Sequence, residues 1–379
     1  MRVLFTCGGT AGHINPAIGV AGRIRELMPE TEILFVGAEG NMETELVPRE
    51  GYQLETVRID GFQRSLKPKM LLRNARTGYW LLESMARSRK LLREFQPDVA
   101  VGTGGYVCYP VLKTAAQLGI PTAVHESNAV PGLTTRLLEK RVDRIMVGLE
   151  ESRSAYREPD KVLLTGTPVR VAFRGAERDR ARRELGLPGD VPIVLAAFGS
   201  LGARYMNDIM EEIIRLMGES PEFRLIYATG KRYFESVRIS LERDGIRSPL
   251  VDVREYIYDM PKVMAAADVI ISRSGASTLS ELTYLGKPSI MVPSPNVVNH
   301  HQEKNAKVLA DAGAAVMLLE GRFTAKDLYA ELIRLLRDDS ALSAMGRAAA
   351  DLGVRDATDR ITSIVLGLAK GGASADSKN

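Results

Sequence analysis

MRVLFTCGGTAGHINPAIGVAGRIREL, residues 1–27, decides the architecture. Arg2 to Thr6 is a short apolar strand and Gly8 to Gly12 a glycine loop. From Pro16 a helix follows, with Ala17, Val20, Ile24 and Leu27 on one face. The scheme recurs at 192–217, PIVLAAFGSLGARYMNDIMEEIIRLM: a strand to Phe198, a loop over Gly199 to Ala203, and a helix over Tyr205 to Met217. Further apolar runs bounded by turn residues lie at Ile33–Val36, Val99–Val101, Thr122–Val124, Ile145–Val147 and Val162–Leu164. After the repeat come Arg224–Ala228, Leu250–Val253, Val269–Ser272, Ser289–Val292 and Ala315–Leu318. Strands alternating with helices predict parallel sheets with helices on both faces.

The fold class is therefore α/β, with two doubly wound Rossmann-like domains facing across a cleft. The pattern breaks near Gly166 and turns polar from Ala172 to Arg183. This divides the chain into an N-terminal domain over 1–165, a linker over 166–185 and a C-terminal domain over 186–350. A last helix over 351–370 returns toward the N-terminal domain, and 371–379 is a disordered tail. A length of 379 residues suits two cores better than one.

Apolar content of 45%, charged content of 26% and a mean hydropathy of -0.08 are those of a water-soluble globular chain. No apolar run reaches the roughly 20 residues of a membrane span. The opening strand meets glycines with no cleavage site, so no signal peptide and a cytoplasmic location are expected. A net charge of +4 is too weak for a nucleic-acid partner. Cys7 and Cys108 form neither a disulfide framework nor a zinc site and read as small buried residues.

Doubly wound sheets bind ligands beyond the carboxyl ends of their strands. The loop GGTAGH, Gly8 to His13, lets backbone approach a polar or anionic group at a helix start. It is neither a G-x-G-x-x-G fingerprint nor a P-loop. The four histidines, His13, His125, His300 and His301, all fall at predicted strand-to-helix loops and none on a core face. His13 is the first choice for a general base, and Glu126 in HESN (His125 to Asn128) the second. A capping role is the plainer reading of Glu126. GTGGY, Gly102 to Tyr106, and SRSGASTLSE, Ser272 to Glu281, follow further strands; Ser274, Gly275 and Ala276 suit a diphosphate, and Glu281 suits ribose hydroxyls. No D-x-D pair occurs, so no metal is expected. Helix N-termini and basic side chains would then neutralise a leaving diphosphate.

These motifs, with GAEGNMETELVP (Gly37 to Pro48), GTPVR (Gly166 to Arg170), GSLGA (Gly199 to Ala203) and HHQEKNA (His300 to Ala306), stand in order along the chain. The sequence resembles the MurG family, bacterial glycosyltransferases of peptidoglycan synthesis. The resemblance implies a GT-B fold, a UDP-N-acetylglucosamine donor, no cofactor and a lipid-linked N-acetylmuramyl-pentapeptide acceptor. It also implies inversion at the anomeric carbon to a β-1,4 linkage. By the resemblance, Thr10, Ala11, Gly12 and Asn128 line the sugar side. Arg170 and Ser200 hold the diphosphate with Ser274, Gly275, Ala276, Ser277, Thr278 and Leu279. Ile257 meets uracil through its backbone, Glu281 the ribose and Gln302 the sugar hydroxyls; Gly104, Gly105 and Tyr106 belong to the acceptor side. Ala11, Phe198, Leu201, Thr167 and His301 depart from the family's usual residues.

Between Gly61 and Pro97, Arg64, Lys67, Lys69, Arg73, Arg76, Arg87, Arg89, Lys90 and Arg93 outnumber Glu83 and Glu94. They interleave with Met70, Leu71, Leu72, Tyr79, Trp80, Leu81, Leu82 and Met85. Core packing with a solvated charged face is the plain explanation. A lipid-borne acceptor favours docking of Trp80 and Leu81, with Arg73 and Arg76, on the anionic cytoplasmic face of the inner membrane. Cell-wall synthesis proteins are further possible partners. Three rivals stay open: another lipid or small-molecule acceptor, a sugar-nucleotide 2-epimerase, and a non-catalytic UDP-sugar-binding subunit.

Overall fold

In the computed structural model the described residues are 1–61, 68–187, 189, 191–199, 201–218, 222–246, 248–297 and 300–376. In chain order the elements begin β1 (Arg2–Thr6), α1 (Ala11–Leu27), β2 (Glu32–Ala38), α2 (Glu43–Arg49), β3 (Gln53–Val57), α3 (Pro68–Phe95) and β4 (Val99–Gly102). Next come α4 (Cys108–Gln117), β5 (Thr122–Glu126), α5 (Leu133–Leu138), β6 (Arg144–Val147), β7 (Val162–Leu164) and α6 (Arg178–Glu184). There follow β8 (Ile193–Ala197), α7 (Arg204–Met217), β9 (Arg224–Ala228), α8 (Phe234–Arg243), β10 (Val251–Arg254), α9 (Met260–Ala266) and β11 (Val269–Ser272). The chain closes with α10 (Ala276–Leu285), β12 (Ser289–Met291), α11 (His301–Asp311), β13 (Ala315–Met317), α12 (Ala325–Leu336), α13 (Asp339–Leu352) and α14 (Ala357–Asp376).

The chain forms two compact units, Met1–Val171 with Arg355–Asn379, and Ala172–Val354. The first holds a seven-stranded sheet in the order β3-β2-β1-β4-β5-β6-β7, the second a six-stranded sheet in the order β10-β9-β8-β11-β12-β13. Every paired strand is parallel. In each sheet the order reverses at one place, between β1 and β4 and between β8 and β11. Loops leaving neighbouring strands at such a reversal diverge to opposite faces and leave a crevice. GGTAGH and GTGGY flank the first crevice, GSLGA and SRSGASTLSE the second.

The central strands are apolar because both faces are covered. In unit 1, Val3 and Phe5 pack with Ile14, Val20 and Ile24 of α1, and Leu4 and Ala100 with Val111 and Leu112 of α4. In unit 2, Met206, Met210, Ile213 and Met217 of α7 pack on Val194, Leu225 and Tyr227. The edge strand β3, QLETV, was not legible as an apolar run because it pairs only with β2 and stays half-covered.

Three details differ from the sequence expectation. Helix α1 begins at Ala11, so Pro16 lies inside it and leaves the Gly12 carbonyl without its usual donor. Part of the stretch read as a linker is helix α6, whose Ala181 packs on Ala265 and Ala266. Its buried Arg182 bonds the Ala266 carbonyl (3.1 Å) and Asp268 Oδ2 (2.5 Å). Finally, α14 continues to Asp376 through the stretch read as disordered. Ile361, Val365 and Ala369 anchor α14 in the α1 side of the first core, and Asp359 pairs with Arg23 at 2.6 Å.

Candidate functional site

The loops after β1 and β4 approach so closely that side chains are excluded. The Gly8 amide donates to the Gly104 carbonyl at 3.1 Å. A Cβ on Gly104 would stand 2.4 Å from His13 Cδ2, and one on Gly105 would stand 2.4 Å from the Gly8 oxygen. Gly104 thus forms the surface against which the His13 ring lies, and Gly105 lets the Gly8 backbone approach. Thr103 Oγ1 donates to the His13 carbonyl at 2.7 Å and ties the two loops again.

His13 Nδ1 is 3.0 Å from the Gly8 carbonyl oxygen. A carbonyl only accepts, so Nδ1 carries the proton and Nε2 keeps its lone pair. Nε2 has no hydrogen-bond partner among the described residues. At the helix start beside it, the amides of Ala11 and Gly12 likewise have none, whereas those of His13 and Ile14 are taken by the Thr10 carbonyl (3.0 and 3.2 Å). An acceptor nitrogen next to open amides can take a proton from a hydroxyl and hold an anionic or polar neighbour. Ala11 is the first helical residue, and no positive φ is needed there, so its methyl is accommodated.

Glu126, the second choice for a base, is fully engaged by its own loop. Its oxygens accept from the Asn128 amide (3.1 Å), Asn128 Nδ2 (2.9 Å), the Gly132 amide (2.8 Å) and Thr135 Oγ1 (2.9 Å). It is 6% exposed and holds the entry to α5, so the geometry favours His13 as proton acceptor. Asn128 is held in the same network. His125 corrects the expectation that no histidine faces a core. It is 1% exposed within β5, donates from Nε2 to the Gly166 carbonyl (3.0 Å), and accepts from Ser127 Oγ (3.3 Å). Burial lowers its pKa and keeps it neutral. Arg170 follows Val169, whose carbonyl accepts from Thr358 Oγ1 at 3.2 Å.

In unit 2 the site is built around α10. Gly275 is the N-cap, and the amides of Ala276, Ser277 and Thr278 have no partner among the described residues; the Leu279 amide is taken by the Gly275 carbonyl. Ser274 is fully buried, its hydroxyl donating to the Gln302 carbonyl (2.8 Å) and its carbonyl accepting from Asn305 Nδ2 (3.1 Å). Gln302 Oε1 accepts from the Ser294 amide at 2.8 Å, leaving its NH2 to donate elsewhere. Glu281 sits on α10 at 7% exposure, so it is not on a solvated helix face. Ile257 has a buried side chain, while its backbone N–H and carbonyl have no partner among the described residues. Ser200 lies outside the described residues. Phe198 fills core space against Tyr227 (6.5 Å between centroids), and Leu201 is exposed.

On α3, Thr77, Ser84, Ser88, Leu91 and Leu92 face the protein, while Tyr79 and Leu82 are exposed at 67% and 69%. Trp80 and Leu81 are half-buried, which corrects the expectation that this pair forms the outer face. The Arg76 guanidinium lies 4.5 Å from the Trp80 ring centroid, a cation–π contact. Arg87 pairs with Glu55 (2.9 Å) and Lys90 with Glu94 (3.7 Å), so part of the positive charge is neutralised locally. Arg64 and Lys67 lie outside the described residues, as do the side chains of Lys69, Arg73 and their neighbours. Among the described residues no helix is long and apolar enough to cross a membrane.

Sequence reasoning did not single out Glu43. It is fully buried beside the first loop, its Oε2 accepting from the Gly9 amide (3.0 Å) and its Oε1 from the Ala38 amide (2.8 Å). Glu39 and Glu45 in the same stretch are exposed, and nothing in the pattern separates the three.

Residues 3–147 match the glycosyltransferase family 28 N-terminal domain, and residues 193–361 match the family 28 C-terminal domain. The UDP-N-acetylglucosamine–N-acetylmuramyl-(pentapeptide) pyrophosphoryl-undecaprenol N-acetylglucosamine transferase of Acetivibrio thermocellus is 41% identical over 374 residues, covering 99% of this chain and 100% of its own. Among solved structures, MurG of Acinetobacter baumannii has a TM-score of 0.70 at 24% identity, covering 97% of this chain and 99% of its own. UDP-N-acetylglucosamine 2-epimerase of Neisseria meningitidis, bound to UDP-N-acetylglucosamine, has 0.66 at 16%, with coverages of 97% and 100%. Those two likenesses carry the fold alone. The full-length identity, with both family 28 domains, carries more: the chain belongs to the MurG family of glycosyltransferases.

Proposed function

We propose that this protein transfers N-acetylglucosamine from UDP-N-acetylglucosamine to N-acetylmuramyl-pentapeptide pyrophosphoryl-undecaprenol. The observation that carries this most is the full-length 41% identity to a transferase of that name. In the proposed reaction the acceptor hydroxyl oxygen attacks the anomeric carbon opposite the departing UDP. The new C–O bond forms as the bond to the diphosphate breaks, inverting the centre, and His13 Nε2 takes the hydroxyl proton. In unit 1, Thr10, Ala11, Gly12 and Asn128 serve the sugar side, and Gly104, Gly105 and Tyr106 the acceptor. In unit 2 the open amides of α10 serve the diphosphate, as does Ser200; in unit 1 Arg170 has the same role. The Ile257 backbone takes uracil, Glu281 the ribose and the Gln302 NH2 a sugar hydroxyl.

The test is UDP release from UDP-N-acetylglucosamine with and without the muramyl-pentapeptide lipid. Release is expected to require the lipid and to survive EDTA, because amide dipoles and Arg170 supply the charge stabilisation. Release without any acceptor, or conversion of the sugar to its 2-epimer, would point to the epimerase instead. Abolition by EDTA with rescue by Mg²⁺ or Mn²⁺ would overturn the diphosphate account.

The lipid tail of such an acceptor calls for a surface that meets the membrane, and α3 is the proposed one, at the cytoplasmic face of the inner membrane. Tyr79 and Leu82, exposed on α3, are the side chains proposed to enter the headgroup region. Changing both to Ser is expected to weaken binding to anionic vesicles about tenfold or more, from roughly 1.5 kcal/mol of lost apolar transfer. The melting temperature should hardly move, since neither side chain is in the core. Turnover of a long-chain acceptor should fall and that of a short-chain soluble acceptor should not. Equal loss on both acceptors, or unfolding, would refute the docking role.

A further inference from the structure

We infer that Glu43 is a positioning residue for proton transfer, acting on His13 through the single peptide group between Gly8 and Gly9; this rests on the reading of His13 as the base. The carbonyl of that peptide accepts from His13 Nδ1 at 3.0 Å, and its N–H donates to Glu43 Oε2 at 3.0 Å. The C=O and N–H of one peptide are conjugated, so a carboxylate bound at the N–H pushes electron density onto the oxygen. The Gly8 oxygen becomes the stronger acceptor for the Nδ1 proton. This keeps the ring in the tautomer whose Nε2 lone pair is available. The arrangement does what a carboxylate bonded directly to a catalytic histidine does, with a peptide interposed.

Burial and charge support the same role. Glu43 is fully buried, and among the described residues no cation pairs with it. Its oxygens accept from the Gly9 and Ala38 amides alone, with no counter-charge beside them. Its missing counter-charge appears when His13 becomes an imidazolium, which is when stabilisation speeds the reaction. The neighbouring thiols do not provide this negative charge. Burial pushes the Cys108 thiol up to about 12 and raises Cys7 as well, with the Glu43 charge adding to both shifts. The fit around the carboxylate is close: a Cβ on Gly8 would stand 2.3 Å from Glu43 Oε1, and one on Gly37 would stand 2.5 Å from Glu43 Cγ. Glycines at both positions make room for this side chain.

The test uses the full chain with ¹⁵N-labelled histidine rings, the His13 signal being assigned by its loss in His13→Gln. In the unmodified protein His13 is expected as the Nδ1-protonated tautomer. Glu43→Gln keeps the size and one amide bond but removes the charge. It is expected to lower kcat about 10- to 100-fold, the range found when a partner that orients a functional histidine is lost. KM for UDP-N-acetylglucosamine should be unchanged, and the Nε2-protonated tautomer should appear. A merely structural role would alter stability and leave the tautomer alone. An Nε2-protonated His13 in the unmodified protein overturns the inference without any Glu43 variant having to fold. So does a Glu43→Gln enzyme with undiminished kcat, or one with lowered kcat and an unchanged tautomer. Failure of the underlying base assignment shows separately, as full kcat in His13→Gln.

Discussion

Replacing His13 by glutamine is expected to lower kcat by about 10²- to 10⁴-fold, the usual contribution of a positioned general base. The change is chosen to be small in every other respect. Glutamine can still donate to the Gly8 carbonyl that now holds Nδ1 at 3.0 Å, and the Thr103 bond to the residue-13 carbonyl is a backbone contact that survives. What glutamine lacks is the ring nitrogen whose lone pair accepts the hydroxyl proton. The interaction lost is made only as the hydroxyl proton moves, so kcat and kcat/KM should fall together while KM for the sugar nucleotide stays close to its original value. Steady-state kinetics on a soluble muramyl-pentapeptide acceptor separate the two, and a thermal melt verifies that the fold is retained. A fall of less than about tenfold in kcat would remove His13 from the chemistry. Glu126 would not then be the natural replacement, since its oxygens already accept from Asn128, Gly132 and Thr135.

Glu281→Ala is expected to weaken UDP binding by about 10- to 100-fold, from the roughly 1.5–3 kcal/mol of a hydrogen bond to a charged group. Glu281 is on α10, the helix whose first amides are open, and is nearly covered at 7% exposure. A carboxylate there makes contacts in the folded chain, and truncation costs some stability. Glu281→Gln is therefore the companion, keeping the volume and removing the charge. Calorimetric titration of UDP into both variants, with melting curves alongside, distinguishes lost recognition from lost fold. The ribose role requires both to bind UDP more weakly while the melt shows a folded chain. Unchanged UDP affinity in the folded variants would refute it.

The two sheets and their loops were legible because the signals are local. A strand buried on both faces must be apolar along its length, as β1, β4, β8 and β11 are, and a helix packed on one side must repeat its apolar residues at 3–4 spacing, as α7 does. The glycines of GGTAGH and GTGGY were likewise visible as a close approach of backbone, though not what they approach. Strands that pair on one edge only, such as β3, do not carry that signal.

What required the tertiary structure is everything set by neighbours distant in the chain. The strand orders, and with them the placing of the two glycine loops at one crevice, follow from pairing and not from any single segment. Glu43 opens α2 a few residues after β2, and Glu126 is the last residue of β5; nothing in the sequence marks which of the two meets the first loop. One is turned inward onto the loop that carries His13, the other is consumed by its own turn. His125, expected at an open loop, lies in the core, where burial keeps it neutral and the Gly166 carbonyl, 41 positions away, accepts from its Nε2. On α3 the residue pattern is that of an amphipathic basic helix. Only packing against the rest of the unit decided that Tyr79 and Leu82 face out while Trp80 and Leu81 are half-covered. A side chain's chemistry is written in the sequence, but its solvation and its partners depend on the surfaces that fold against it, and these decide whether a carboxylate or an imidazole is available to react.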